Sequence, residues 1–136
     1  MDVVEENIPE WLDFYLENDG PLGRLTISSD MNSSTPAIFY EQFCKLVVEH
    51  GHALDTVLPL VTSNTAAALK LEKKGAVNVG MDGDVAVLSQ GSLDIREVVA
   101  RGKVIVRDGA PVVREKWLEK SKRKVYFIGD EHPSMK

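Results

Sequence analysis

The first half of the chain alternates between helical and extended patterns of apolar residues. The segment NIPEWLDFYLEN at positions 7–18 has apolar residues at helical spacing, and the turn formers NDGPLG end it. The run RLTISS at 24–29 has the length and the branched residues of a strand. A second helix is predicted from Thr35 to about His50, with Gly51 at its C-terminal end. The pattern therefore predicts a helix–strand–helix unit.

Two shorter helical segments follow this unit. The segment at 55–61 has a helical pattern that Pro59 limits to a first turn or kinks. The alanine-rich run AAALKL has high helix propensity, and Asn64 or Thr65 is predicted to be its N-cap.

Beyond Gly75 the pattern becomes that of short strands. Runs of Val and Ile alternate with glycine, and the pairs at 101–102 and 108–109 (Arg-Gly and Asp-Gly) fit hairpin turns. We expect an α/β chain in three parts: residues 1–74 with helices and a strand, residues 75–113 with short strands, and a tail at 114–136. The tail has a helical pattern and then the strand-like run KVYFIG.

Composition and charge narrow the classes of function. The formal net charge of −5 argues against nucleic acid or an anionic membrane as the main partner. The basic cluster EKSKRK at 119–124 fits a solvated helix face better than a polyanion site. No apolar run approaches the ~20 residues of a membrane span, and the acidic N-terminus does not resemble a signal peptide. The one cysteine, Cys44, lies in an apolar helical pattern and fits a buried small residue. These features favour a cytoplasmic protein.

Asp30 is the residue most open to a chemical role. It follows the predicted strand in LTISSDMNSS, where the strand ends of a βα-barrel carry catalytic groups. A carboxylate there can bind a metal or transfer a proton, and the hydroxyls after it could hold a polar substrate. Local physics alone favours an Asx turn at Asp30 with Ser34 or Thr35 capping the next helix. A small-ligand site in this loop is a third interpretation.

Two other groups of residues invite a metal interpretation. His50 and His52 flank Gly51 at a helix C-terminus, where the helix dipole favours histidine, so capping is the better interpretation. Asp82 and Asp84 lie in GMDGD between an extended run and a strand, which favours a turn.

The run TSNTAAALKLEKKGAVNVGMDGDVAVL resembles the C-terminal signature of the amidohydrolase superfamily. The following run VVARGKVIVRDGAPV resembles the hairpin that closes the small β-domain of that family, and LTISSDMNSS is similar to the last barrel strand of the isoaspartyl (β-aspartyl) dipeptidases. The signature positions in this sequence are Thr62, Asn64, Ala66, Lys74, Gly75, Gly80, Asp82 and Asp84.

The resemblance implies a fold and a chemistry. It implies the last βα unit or units of a TIM-like barrel of a metal-dependent hydrolase, followed by part of a small β-sandwich domain. The parent enzymes are zinc metallopeptidases with two zinc ions at the barrel mouth. By resemblance, Asp30 binds one metal, accepts a proton from the metal-bridging hydroxide and passes it to the leaving amine. Ser34 contacts the dipeptide substrate.

The remaining ligands of such a site are not evident. A two-metal centre of this family needs four histidines from other strands, whereas this sequence has three histidines, none in the expected context. We expect the chain to be a C-terminal fragment of such a hydrolase, inactive alone and without tightly bound zinc. The alternative is a non-catalytic module that associates with itself or with a partner through unpaired strand edges. Either case predicts a homo-oligomer.

Overall fold

The computed structural model describes residues 7–28 and 36–113. The helices are α1 (Ile8–Glu17), a 3-10 turn (Leu22–Arg24), α2 (Pro36–Val48), α3 (Leu54–Val61) and α4 (Ser63–Ala68). The strands are β1 (Val85–Leu88), β2 (Ile95–Ala100), β3 (Lys103–Arg107) and β4 (Ala110–Pro111). The predicted roles of Asp30 and Ser34, and the predicted helix and strand in the tail, lie outside the described residues.

The hydrophobic core lies between the helices, because α1, α2 and α3 each contribute buried apolar residues. From the sheet side, Leu93 in the β1–β2 loop joins that core and is only 6% exposed, and Leu88 of β1 packs against it. The sheet is therefore packed onto the helical layer through the end of β1 and the loop that follows it. The buried core cluster consists of Ile8, Leu12, Ile27, Phe43, Leu46, Val57, Leu60 and Leu93.

The end of α2 follows the prediction closely. The helix ends at Val48, and Gly51 adopts φ +71°, the left-handed conformation that glycine occupies without a steric penalty. The backbone N–H of His52 then donates to the carbonyl oxygen of Leu46 at 3.0 Å. The predicted glycine termination is confirmed, and it turns the chain back toward α3.

The prediction of a helix cap at Asn64 or Thr65 is wrong. Thr62 (φ −124°, ψ −91°) separates α3 from α4 by a single residue and is itself the N-cap of α4. Pro59 lies inside α3, which continues to Val61. The early start of α4 frees the Asn64 side chain for a different contact, described below.

The predicted strand at 24–29 is not a sheet strand within its described part. Arg24 ends the 3-10 turn, Leu25 is extended (φ −90°, ψ 136°), and Ser28 forms an isolated β-bridge. A parallel strand is stable only between neighbouring strands, and no described residues run alongside this segment as a strand pair. The sequence pattern was that of a strand, but within residues 7–28 and 36–113 no strand forms a ladder with this segment.

The antiparallel sheet confirms the pattern of four short strands. Its order is β1-β2-β3-β4, with neighbouring strands joined in sequence. Both predicted hairpin turns have two successive left-handed residues: Arg101 and Gly102 at φ +49° and +74°, and Asp108 and Gly109 at +50° and +75°. That is the geometry of a type I′ turn, whose twist matches the strands. The chain is thus a mixture of helices and a small antiparallel sheet, and none of the described helices has the length and hydropathy to cross a membrane.

Candidate functional site

The segment that leads to Asp30 is anchored from two sides. Ile27 is buried, and its backbone N–H donates to the carbonyl oxygen of Leu60 at 3.3 Å. Further along the chain, α2 begins at Pro36 and packs into the core through Phe43 and Leu46. Residues 29–35, with Asp30 and Ser34, therefore connect two segments whose positions the core fixes.

Asn64 ties α4 to the start of this segment. Its side-chain Nδ2 donates to the carbonyl oxygens of Leu22 at 2.7 Å and Leu25 at 2.9 Å. Both carbonyls belong to the turn that precedes Ile27, a part of the chain about forty residues earlier in sequence. The two hydrogen bonds of Asn64 thus fix the position of the turn in the segment that leads to Asp30.

Gly75 allows a close approach between α4 and the segment after it. Its φ is +87°, and a Cβ at this position would lie 2.7 Å from the Ala66 Cβ and 2.9 Å from the Ser63 Cα. Ala66 is itself buried. Ala66 and Gly75, two small residues of the signature, therefore lie in close contact. Larger side chains at these two positions would collide.

Lys74 joins the helical layer to the sheet. Its Nζ lies 2.9 Å from Asp82 Oδ2 and also forms an ion pair with Asp84. Asp84 in turn accepts a hydrogen bond at 2.7 Å from the backbone N–H of Arg101 in the β2–β3 turn. The two aspartates are thus turn and anchoring residues, as the pattern favoured, and they bind a lysine ammonium.

The Lys74 cluster makes stability depend on pH in a defined direction. The hydrogen bonds from the Lys74 ammonium and the Arg101 N–H lower the pKa of Asp84, and the bonds to Asp84 and Asp82 raise the pKa of Lys74. A lowered carboxyl pKa stabilises the fold above the unfolded value of about 3.9, and this contribution is lost as pH falls through the folded pKa. A raised lysine pKa stabilises the fold below about 10.4, and this contribution is lost as pH rises through the folded pKa.

We expect Lys74→Met to lower the free energy of unfolding at neutral pH, and the difference from the parent chain to shrink below about pH 4, as the pH falls through the lowered pKa of Asp84. Urea unfolding from pH 2 to pH 8 measures this difference. Lys73→Met is the matched control, because Lys73 is an exposed neighbour outside the cluster. A Lys74→Met difference that stays constant across this range, or equals that of the control, would contradict the role of the ion pairs.

Tyr40 connects α2 to the β1–β2 loop of the sheet by a hydrogen bond. Its hydroxyl donates to the carbonyl oxygen of Leu93, and its ring stacks on Phe43 at a centroid distance of 5.9 Å. Burial, with Cys44 beside it, raises the pKa of the Tyr40 hydroxyl well above its usual range. Burial likewise raises the pKa of the Cys44 thiol, which packs against the core. Cys44 is thus a packing residue, although it is only partly buried and the pattern had predicted a buried one.

The histidine pair is divided by the end of α2. His50 is exposed, whereas the His52 side chain is largely buried and its Nε2 lies 3.0 Å from Asp13 Oδ1 on α1. The distance is that of an ion pair, although the geometry is not that of a hydrogen bond. His52 therefore pairs with Asp13 on α1, while capping of α2 by either imidazole stays a prediction.

An open cleft of about 350 Å³ lies between the 3-10 turn and α3. Asp55 is the one titratable side chain in its lining, so the cleft itself holds no acid–base pair. Its lining residues are Leu22, Gly23, Asp55, Thr56, Pro59, Leu60 and Asn64.

Comparison with solved structures gives this geometry a context. The β-aspartyl dipeptidase of the thermophilic, keratin-degrading Fervidobacterium islandicum AW-1 matches 80% of this chain at 27% identity, with a TM-score of 0.70. The chain is similar to part of a β-aspartyl dipeptidase. The structure of the same enzyme in complex with β-Asp-Leu dipeptide matches 79% of the chain at 25% identity, with a TM-score of 0.68. The resemblance inferred from the sequence is confirmed.

The match to the dipeptidase is partial in length. This chain spans 30% and 32% of the two dipeptidase chains. An N-acetylglucosamine-6-phosphate deacetylase from Thermotoga maritima shares the fold, with a TM-score of 0.64 at 11% identity over 79% of this chain and 38% of its own. This set of neighbours fits the amidohydrolase superfamily. No protein-family model matches the sequence.

The described part of this dipeptidase-like chain does not fit a zinc site by itself. Within residues 7–28 and 36–113, no three side chains of His, Cys, Asp or Glu come together as metal ligands would. Asp82 and Asp84 both bind Lys74 and so form a turn held by an ion pair. No reaction step is assigned to a metal.

Two contacts of the dipeptidase-like fold escaped the sequence pattern. Tyr40 and Leu93 are 53 residues apart, and nothing in either local pattern indicates their hydrogen bond. The sequence did mark Asn64 as a residue of interest, because it is one of the positions of the family signature. Its helical context nevertheless favoured a cap, whereas its amide reaches across to another segment.

Proposed function

We propose that this chain forms part of a hydrolase that cleaves β-aspartyl dipeptides. The observation that carries the proposal is the match to the Fervidobacterium islandicum dipeptidase, at 27% identity and a TM-score of 0.70 over 80% of the chain. The neighbour with β-Asp-Leu in its printed description supports this class of substrate. The deacetylase, at 11% identity, supports only the fold.

In this proposal the described segments take specific places in the enzyme. The residues from Leu25 to Ser28 and α2 belong to the last strand–helix unit of a TIM-like barrel, and β1 to β4 form part of a small β-sandwich. The extended backbone at Leu25 and the buried Ile27 support the first assignment. The four-stranded antiparallel sheet supports the second. In the barrel, neighbouring strands would pair with the segment around Ile27.

The chemistry proposed for the chain rests on two residues of the loop. Asp30 accepts a proton from the attacking water and donates it to the leaving amine, and Ser34 contacts the dipeptide. Two zinc ions belong to the proposal for the whole enzyme, with Asp30 as one ligand, and we expect this chain alone to bind neither tightly. A cytoplasmic location completes the proposal.

A chimera tests the proposal directly. Residues 7–113 of this chain replace the matching segment of the Fervidobacterium islandicum enzyme, and hydrolysis of β-Asp-Leu is measured by release of leucine. We expect the chimera to cleave the dipeptide, and the 136-residue chain alone to show no cleavage with or without added Zn²⁺.

The matched control is a second chimera that carries the corresponding segment of the Thermotoga maritima deacetylase, which has the same fold at far lower identity. We expect this control to fold without cleaving β-Asp-Leu. A folded first chimera without activity, or equal activity in both chimeras, contradicts the proposal. Stoichiometric zinc and turnover in the isolated 136-residue chain would contradict the assignment as a partial site.

A second candidate function is self-association without catalysis, which the exposed edge of the sheet favours. β1 is an edge strand, and its Val87 is 46% exposed. Val77 and Val79, in the segment that leads to β1, are 78% and 108% exposed. An uncovered strand edge with apolar side chains favours pairing with another chain.

We expect the purified chain to form a homo-oligomer, because pairing of β1 edges covers these residues. Static light scattering should give at least twice the 15.0 kDa mass of the monomer. Val87→Lys places a charge on the edge and is expected to shift the mass toward the monomer. Leu69→Lys, at an exposed position away from the sheet, is the control. A monodisperse monomer of the parent chain rules out this candidate.

A further inference from the structure

The outer face of α1 combines aromatic rings with carboxylates. Trp11 and Phe14 are 52% and 57% exposed and meet edge to face, with their centroids 6.1 Å apart. Glu10 and Glu17 are exposed one turn to either side of Phe14. We call these four residues the α1 outer face. α1 contains no basic residue, so no cation within the helix offsets these charges.

This face is unusual among the described residues. Trp11 and Phe14 are the only large aromatic side chains in residues 7–28 and 36–113 with more than about a third of their surface exposed. Exposed aromatic rings beside carboxylates suit a partner that brings cations and apolar groups together. Lysine and arginine bind over aromatic rings, because the ring face attracts a cation, and they also form ion pairs with carboxylates.

The chain contains a segment of that chemistry. Residues 114–124, REKWLEKSKRK, carry six basic and two acidic side chains, with Trp117 and Leu118 among them. Residues 1–113 carry 17 acidic and nine basic side chains. The charges of the segment and of the rest of the chain are therefore complementary, and the basic segment begins directly after Val113.

Length and tethering favour docking of the basic segment within one chain over docking between two chains. Eleven residues span up to about 36 Å when extended, which is comparable to the diameter of a small domain. A short tether gives an effective concentration in the millimolar range, far above a micromolar concentration of separate chains. The basic segment is therefore expected to meet the acidic surface of its own chain before that of another chain.

We propose that the basic segment 114–124 docks on the α1 outer face of its own chain. Its lysines and arginines pair with Glu10 and Glu17 and lie over Trp11, while Trp117 and Leu118 cover part of the exposed rings. This inference does not depend on the proposed function.

Disulfide trapping in the full 136-residue chain tests the docking. In a Cys44→Ala background, Glu17→Cys is combined with Lys120→Cys, and the chain is oxidised in a glutathione buffer at low micromolar concentration. The control combines Glu72→Cys with Lys120→Cys, since Glu72 is an exposed acid outside α1. We expect the intramolecular bridge at Glu17 in at least about tenfold higher yield than at Glu72, which corresponds to about 1.4 kcal/mol of preference.

Fluorescence gives a second, independent readout. In Trp117→Phe, Trp11 is the one remaining tryptophan. Combined reversal of Lys120, Lys122 and Arg123 to Glu should shift its emission to the red, because the ring returns to water. Raising NaCl to about 0.5 M should act in the same direction, since salt screens exposed charges. Reversal of Lys70, Lys73 and Lys103 to Glu is the control and should leave the emission unchanged.

Three results would overturn the proposal. One is equal bridge yield at Glu17 and Glu72. Another is bridges found between chains and not within them, which would make a second copy the occupant. The third is Trp11 emission that does not change when the three basic residues are reversed. Trp11 emission that does not change when added heparin binds the basic segment is the same result.

Discussion

Asp30→Asn in the active chimera is expected to reduce the turnover of β-Asp-Leu by about 10²–10⁴-fold, the range typical for the loss of a general acid–base group. Asparagine matches aspartate in size and keeps an oxygen that accepts hydrogen bonds, but it cannot take and return a proton. The loss should therefore fall on kcat more than on KM, because the group acts on the reacting atoms. Steady-state kinetics of the active chimera and of its Asp30→Asn variant measures this loss of turnover.

Ser34→Ala in the same chimera separates binding from proton transfer. If Ser34 contacts the dipeptide, its loss should raise KM while it changes kcat less than the Asp30 variant does. Glu72→Gln, at an exposed position far from the loop in sequence, should leave both constants unchanged. An Asp30→Asn chimera with full turnover would remove Asp30 from the catalytic machinery and leave only its turn-forming role.

Gly75→Ala is expected to destabilise the fold by about 3 kcal/mol, the sum of two separate penalties. The first is the left-handed backbone at φ +87°, which costs a residue with a Cβ about 1–2 kcal/mol. The second is steric, because the new methyl would lie 2.7 Å from the Ala66 Cβ and 2.9 Å from the Ser63 Cα. The Ser63 Cα belongs to the backbone of α4 and cannot rotate away. Urea denaturation of the purified chain measures the loss.

Gly80→Ala is the matched control for the steric part. Gly80 has φ +90°, close to that of Gly75, but a Cβ there would meet no atom within 4 Å. It should therefore incur the backbone penalty alone, and the difference between the two variants isolates the close approach of Gly75 to α4. Equal destabilisation of the two variants would show that the contact with Ala66 and Ser63 relaxes without cost.

Local patterns predicted those parts of the fold that are determined locally. Both type I′ hairpin turns could be predicted from two-residue signals, because each has at its second position a glycine, which takes the left-handed conformation without a steric penalty. Gly51 ended α2 for the same reason. These features need no partner that is distant in sequence.

Features that depend on distant partners could not be predicted in this way. The run at 24–29 has strand composition, yet a ladder needs neighbouring strands, and the described residues supply none. Asn64 has the properties of a helix cap in its local context, but its amide meets two carbonyls about forty residues earlier. The roles of Asp30 and Ser34 followed from family resemblance, since an acid and a serine after a strand also form ordinary turns.

Leu93 has a consequence for any attempt to divide this chain. Its side chain fills a position among residues of α1, α2 and α3, while its carbonyl oxygen accepts the Tyr40 hydroxyl. A helical piece produced without the strands would retain a void where Leu93 lies and a buried phenol without its acceptor. The strands thus complete the interior of the helices, and expression of either half alone would leave that interior open to solvent.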